Sequence, residues 1–197
     1  MTRLKELEGH HGTSALKAQQ ILAKGFEPGK GRHGMGVYFW RKNNFSIRLA
    51  TDWCDQQRRA GVYGQDEVRV AVLEATLKVM EQQFLDLTRP EWQDIIHDVH
   101  GRIKAEQSRH VDEGQLPQSE RKRDEELLAL AYEWVLTRAE QELATEVGIL
   151  QVQTSAPRTG PGQPGWWNQR IGLPFCYVVR DNSCIIGVQL VNLEDIP

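Results

Sequence analysis

The chain has 197 residues, 40% of them hydrophobic and 26% charged, a length that suits one well-buried domain, or one domain with a large insertion, and is short for two full domains. Its N-terminus, MTRLKELEGHH, is polar with no apolar run behind it, and its three cysteines (Cys54, Cys176, Cys184) are odd in number and lack a C-x-x-C pair; these features argue against a secretion signal, a membrane anchor, a disulfide framework and a structural zinc site, and leave cytoplasmic residence as the expectation. The net charge of −3 is unevenly spread: residues 1–80 hold 13 Lys and Arg against 8 Asp and Glu, residues 81–146 hold 8 against 16, and residues 147–197 hold 3 of each, so the first segment suits anionic ligands such as dinucleotides or nucleic acid, or simply carries solvated charge.

In chain order, Thr13 or Ser14 can cap a helix near 14–24 whose Ala15, Ala18, Ile21 and Leu22 share a face and which Gly25 can stop. A glycine-rich link follows, then a strand at Gly36–Phe39, a mixed segment near 45–60 and a strong strand over residues 68–77. From residue 88 the periodicity changes. Thr88 with Glu91 forms a capping-box pattern, Pro90 suits a first turn, and Trp92, Ile95, Ile96, Val99 and Ile103 recur at helical spacing. After a polar link at 114–117, Leu128, Ala131, Val135, Ala139 and Leu143 mark a second amphipathic helix. Residues 88–146 therefore read as a helical insertion in an otherwise strand-rich domain spanning 1–197. TSAPRTGPGQPGWW at 154–167 reads as an irregular loop anchored by Trp166 and Trp167. FCYVVR (175–180) and CIIGVQLV (184–191) then make a hairpin or bent-strand candidate.

Two short patterns fail on context. Residues 29–34, Gly-Lys-Gly-Arg-His-Gly, match G-x-G-x-x-G, but a helix precedes them and a strand follows, the reverse of a dinucleotide fingerprint. They read as a basic connection. His97-x-x-His100 puts two imidazoles on one side of a helix without an obvious third ligand, so no metal is expected and a solvated helix face is the reading.

What remains is an ordered set: His11-Gly12-Thr13, a helix ending in Gly25-Phe26, Gly34-Met-Gly-Val-Tyr-Phe39, and Thr51-Asp-Trp-Cys54. In these residues the sequence resembles the ADP-ribosyltransferase superfamily, in particular its poly(ADP-ribose) polymerase-like, or diphtheria-toxin-like, branch, whose pattern is H-G-[ST], a helix, G-[FL], a loop and G-x-G-[IV]-Y-F. The likeness covers roughly residues 9–77 and 175–191 and leaves the helical insertion outside it. It implies an α+β fold built on a split, mostly antiparallel sheet, with NAD as substrate. His11 would then bind the adenosine ribose, Gly12 the nicotinamide carboxamide through its backbone, and Tyr38 would stack on the nicotinamide. Thr13 would complete the binding motif, and Trp53 would form the other side of an aromatic clamp. The residue types suit the task, since glycine lets a backbone approach closely, imidazole both donates and accepts, and tyrosine offers a ring face with a polar tip.

One position departs from the family pattern. Where the family opens a late strand with a catalytic glutamate, E-Y-[IV]-V-[YF]-D, this chain has Cys176-Tyr-Val-Val-Arg-Asp181. The resemblance then implies transfer of a single ADP-ribose rather than a polymer, with Cys176 completing a catalytic set of His11, Tyr38 and Cys176 by holding the glutamate's place and not by acting as a nucleophile. A substitute carboxylate, with Glu74 the nearest-looking candidate, is an alternative. So is a noncatalytic NAD or ADP-ribose binding module, and so is an RNA 2′-phosphotransferase of related fold. The acceptor would be a protein or a nucleic acid, with no membrane partner, and the insertion would pack on the domain, cover the site or dock a regulatory protein.

Overall fold

Strand β1 (Leu4–Ser14) is absent from the periodicity reading, because its first half sets only Leu4 and Leu7 among lysine and glutamate, with no apolar alternation, and its second half is glycine, histidine and hydroxyl residues. Pairing makes it a strand: it runs antiparallel to β4 (Val70–Met80) along its whole length, from Leu4 opposite Met80 to Ser14 opposite Val70. The structure is a computed structural model that describes residues 3–63, 69–109, 120–158 and 172–195. The start of the strand expected from residue 68, the link at 114–117, and Trp166 and Trp167 lie outside the described residues.

Ser14 ends β1 and caps α1 (Ala15–Lys24), its side chain accepting the Lys17 N–H at 3.3 Å; Gly25, at φ 85°, closes the helix by donating its N–H to Ile21. The basic link folds into a hairpin rather than a loose connection: β2 (Gly29–Gly31) pairs with the start of β3 (Gly34–Arg41) across the turn at Arg32 and His33. The mixed segment is helix α2 (Ser46–Arg59). A short 3-10 turn leads from β4 to β5 (Phe84–Asp86), followed by α3 (Pro90–Arg109) and α4 (Glu120–Leu143). The capping-box expectation needs correction, since the Thr88 hydroxyl donates to Asp86 Oδ1 at 2.6 Å and the helix opens at Pro90. β6 (Ile149–Gln153), β7 (Phe175–Val179) and β8 (Ile185–Leu190) complete the fold.

The sheet order is β5-β6-β7-β3-β1-β4-β8, with β2 attached to β3; the pairs are antiparallel except β5 with β6. β7 and β8 do not form the expected hairpin. β7 lies between β6 and β3, while β8 crosses to the far side and pairs with β4, because the short 3-10 turn at Asn182–Cys184 redirects the chain. The molecule is thus a mixed α+β fold on a mostly antiparallel, open sheet. One face packs under α1, where Ala18 and Ile21 meet Phe26, Phe39, Leu73 and Leu77. The other packs under α2, α3 and α4, where Leu49, Ala50, Ile96, Val99, Val135 and Leu136 meet Trp40, Val72, Cys176 and Val178. The helical insertion is therefore part of the core: apolar side chains of this size each contribute about 1.5–3 kcal/mol when buried.

Candidate functional site

β1 and β3 are neighbours in the sheet yet pair for only two residues, Gly9 opposite Arg41 and His10 opposite Trp40. Beyond His10 they part. The backbone of β1 shows what faces the opening. Glu8 accepts the Lys42 N–H on the β3 side, and Val72, the β4 residue opposite Gly12, turns its own carbonyl away to Val191. Peptide groups alternate sides along an antiparallel strand, so the N–H and C=O of Gly12 point toward β3, into the gap. Glycine is required there for another reason as well: a Cβ on residue 12 would overlap the Ala50 carbonyl of α2, which lies directly over it.

His11 spans the gap. Its Nδ1 lies 2.9 Å from the Tyr38 carbonyl oxygen. A carbonyl only accepts, so Nδ1 carries the proton and Nε2 of the neutral ring is left as an acceptor. Burial holds the ring below the usual histidine range, opposed in part by that hydrogen bond, which keeps it neutral. Phe26 and Phe39 fix its orientation, with ring centroids 5.2 and 5.7 Å away.

Tyr38 points the other way. Alternation along β3 sends Phe39 to the His11 face and Tyr38 to the face covered by α4. Its hydroxyl donates to the Gly34 carbonyl at 2.7 Å and accepts the His33 N–H at 3.1 Å, and a Cβ on Gly31 would meet the phenol. Burial pushes the phenol's pKa up. The β2–β3 hairpin thus folds back over the outer end of the ring. His11 and Tyr38 are joined through the Tyr38 backbone, not as two side chains lining one surface.

The other sequence candidates divide. Thr13 is buried, with its carbonyl accepting from Cys54 Sγ at 3.0 Å. Trp53 is 39% exposed on α2, and no ring contact joins it to Tyr38. Cys176 lies opposite Trp40 in the core beneath the helices, where burial pushes its thiol up to about 12 and keeps it protonated. Glu74 sits beside Lys42, with which it forms an ion pair, and its Oε2 is 4.0 Å from His10 Nε2. His10 itself, missed in the sequence, is buried and its Nδ1 lies 2.8 Å from Ser46 Oγ. The Ser46 hydroxyl donates to Asn43 at 2.8 Å, so the imidazole is the donor in that bond. His10 therefore ties the start of α2 to β1 and helps to seat Ala50 over Gly12.

Two further residues near the site had no signal in the sequence, because they come from the insertion. Tyr132 meets the His33 ring edge-on at 4.7 Å, and Glu133 accepts the Met35 N–H at 2.7 Å while pairing with Arg180 at 3.1 Å. His97 is exposed and His100 lies 3.5 Å from Asp124; among the described residues no group of His, Cys, Asp and Glu is placed to hold a metal ion, and no helix is long and apolar enough to cross a membrane. No protein-family model, curated protein or solved structure matches the chain.

Proposed function

We propose that the protein binds NAD in the opening between β1 and β3 and transfers one ADP-ribose to a protein or nucleic-acid acceptor, releasing nicotinamide. The observation that carries this reading is the parting of the two strands with the Gly12 peptide facing the gap and His11 held across it as a neutral acceptor. A carboxamide has one donor and one acceptor edge, which the N–H and C=O of one peptide complement. The Nε2 lone pair of His11 suits a ribose hydroxyl. The resemblance in His11-Gly12-Thr13 and Gly34-Met-Gly-Val-Tyr-Phe39 supports NAD over other ligands with those edges.

In the reaction, the bond between the anomeric carbon and nicotinamide breaks, the electron pair leaves with nicotinamide, and the acceptor atom bonds to the anomeric carbon as it loses its proton. Gly12 would hold the nicotinamide carboxamide and His11 the adenosine ribose, so the two residues fix opposite ends of NAD, and their contribution is orientation. Cys176 is protonated and buried, so it supplies neither a nucleophile nor a charge to the developing cation. Incubating the protein with NAD and measuring nicotinamide release, with and without protein, RNA and DNA acceptors, tests the reading. Release that depends on acceptor and is lost in His11→Ala is expected; no release with any acceptor would overturn the enzymatic reading.

The same buried thiol favours a second reading, a noncatalytic NAD or ADP-ribose binding module. That reading predicts saturable binding that His11→Ala weakens, without nicotinamide release.

A further inference from the structure

The β2–β3 hairpin is held from outside by helix α4. Glu133 accepts the Met35 N–H at 2.7 Å, Glu125 pairs with Arg32 at 2.5 Å, and Tyr132 packs perpendicular to the His33 ring at 4.7 Å. The fit is close, since a Cβ on Gly34, which sits at φ 93°, would overlap the Glu133 carboxylate. Within the hairpin, His33 N–H and Gly34 C=O both bond the Tyr38 hydroxyl. One element of this arrangement works against it. His33 is only 4% exposed, and neither of its ring nitrogens has a hydrogen-bond partner. A buried imidazole stripped of water at both nitrogens destabilises the state that buries it.

We propose that the hairpin is a lid latched by α4 over the Tyr38 phenol, and that the unpartnered His33 ring keeps the latched state weak enough for ligand to open it. The lid's role toward NAD rests on the function proposed above; the latch itself does not. In the latched state the Tyr38 hydroxyl is fully engaged by Gly34 and His33, and the outer end of the ring lies under Gly31. A flat ligand ring that stacks on Tyr38 must displace the hairpin tip. Release moves His33 into water, where both nitrogens find partners, and frees the Met35 N–H and the Arg32 guanidinium. The insertion thereby regulates the site through the hairpin, and ligand affinity is reduced by the fraction of molecules that are latched.

Two substitutions separate this from simple packing because they act in opposite directions. Glu133→Gln weakens the charged acceptor of the Met35 N–H and the pair with Arg180. His33→Phe replaces the unpartnered imidazole with an apolar ring and strengthens the latch. Amide hydrogen exchange of residues 31–36, followed in the full chain without ligand, is expected to quicken several-fold in Glu133→Gln and to slow several-fold in His33→Phe. NAD titration followed by calorimetry is expected to give tighter binding in the first and weaker binding in the second. Hairpin exchange that is unchanged in both variants, or that moves the same way in both, would overturn the latch. Opposite exchange shifts with NAD affinities that do not follow them would overturn the lid's role toward NAD. If no variant binds NAD, the exchange results alone decide the latch and the NAD reading fails separately.

Discussion

The two edges of β1 are built on different principles. Toward β4 the strand is paired along its length, and its Leu7 packs against the core under α1; toward β3 it is paired at Gly9 and His10 and then stands free. The paired edge carries stability. The parted edge is where the proposed function places the ligand, because backbone polar groups that do not pair with a neighbouring strand are available to one. His11 lies at the boundary, with Leu73 opposite it on the paired side and the Tyr38 carbonyl on the other.

The largest effect expected from breaking this division is at Gly12. Gly12→Ala forces a Cβ against the Ala50 carbonyl, which is helix backbone and cannot rotate aside, so the loss should exceed about 4 kcal/mol and leave little folded protein. Gly187→Ala, on edge strand β8, meets only the Thr76 side chain at 3.8 Å and should change stability by less than about 1 kcal/mol. Urea denaturation of both variants checks the contrast.

A smaller effect sharpens the comparison across the strand pair. Leu73→Ala removes a fully buried side chain and should cost about 3 kcal/mol of stability with NAD affinity unchanged in the molecules that remain folded. His11→Ala should do the reverse, costing about 1 kcal/mol in stability and roughly tenfold or more in NAD affinity. Urea denaturation and NAD calorimetry on the same two variants would contradict the division of labour if both changes moved both quantities alike.

A further effect is a pH dependence of the hairpin beside the parted edge. His33 titrates at about 3 in the latched state, chiefly because burial disfavours its charge and secondarily because Arg32 is close, and in an open hairpin it would return to its ordinary 6.5. Its pKa is depressed in the latched state, so the latch is intact above about 6.5 and weakens as pH falls toward 3, by about 1.4 kcal/mol per unit. The rings of Tyr38 from β3 and Tyr132 from α4 face it, and the nearest charge is its neighbour Arg32, itself paired with Glu125, while Glu133 holds the next turn of the hairpin and pairs with Arg180. Hairpin exchange, corrected for its intrinsic pH dependence, should quicken between pH 6.5 and 5 in the wild type; the difference should vanish in His33→Phe.

How far the sequence foretold this depends on the range of the interactions involved. Helix α1 was legible because its cap, apolar face and terminating glycine are all within a dozen residues of one another. β1 was not, because Leu4, Glu6 and Glu8 are exposed and the strand exists through its pairing with residues 70–80. The separation of β7 from β8 was hidden for the same reason: three residues of 3-10 turn look like a hairpin connection until the partner strands are known. Of the candidate residues, His11 and Gly12 follow directly after the last paired position between β1 and β3, whereas the hairpin over Tyr38 depends on Glu125, Tyr132 and Glu133, about a hundred residues away. His10 carried no motif, and only the register shows that it faces Ser46 and Glu74 while its neighbour faces Phe26 and Phe39.

The central claim is that ligand enters where β1 leaves β3, and the amide of Gly12 reports on it most directly. In a titration of isotope-labelled protein with NAD, followed by nuclear magnetic resonance, the Gly12 amide and the His11 ring signals should shift saturably and together, while Ala75 and Leu77 on the paired strand stay in place. Binding that shifts neither Gly12 nor His11 would contradict the account.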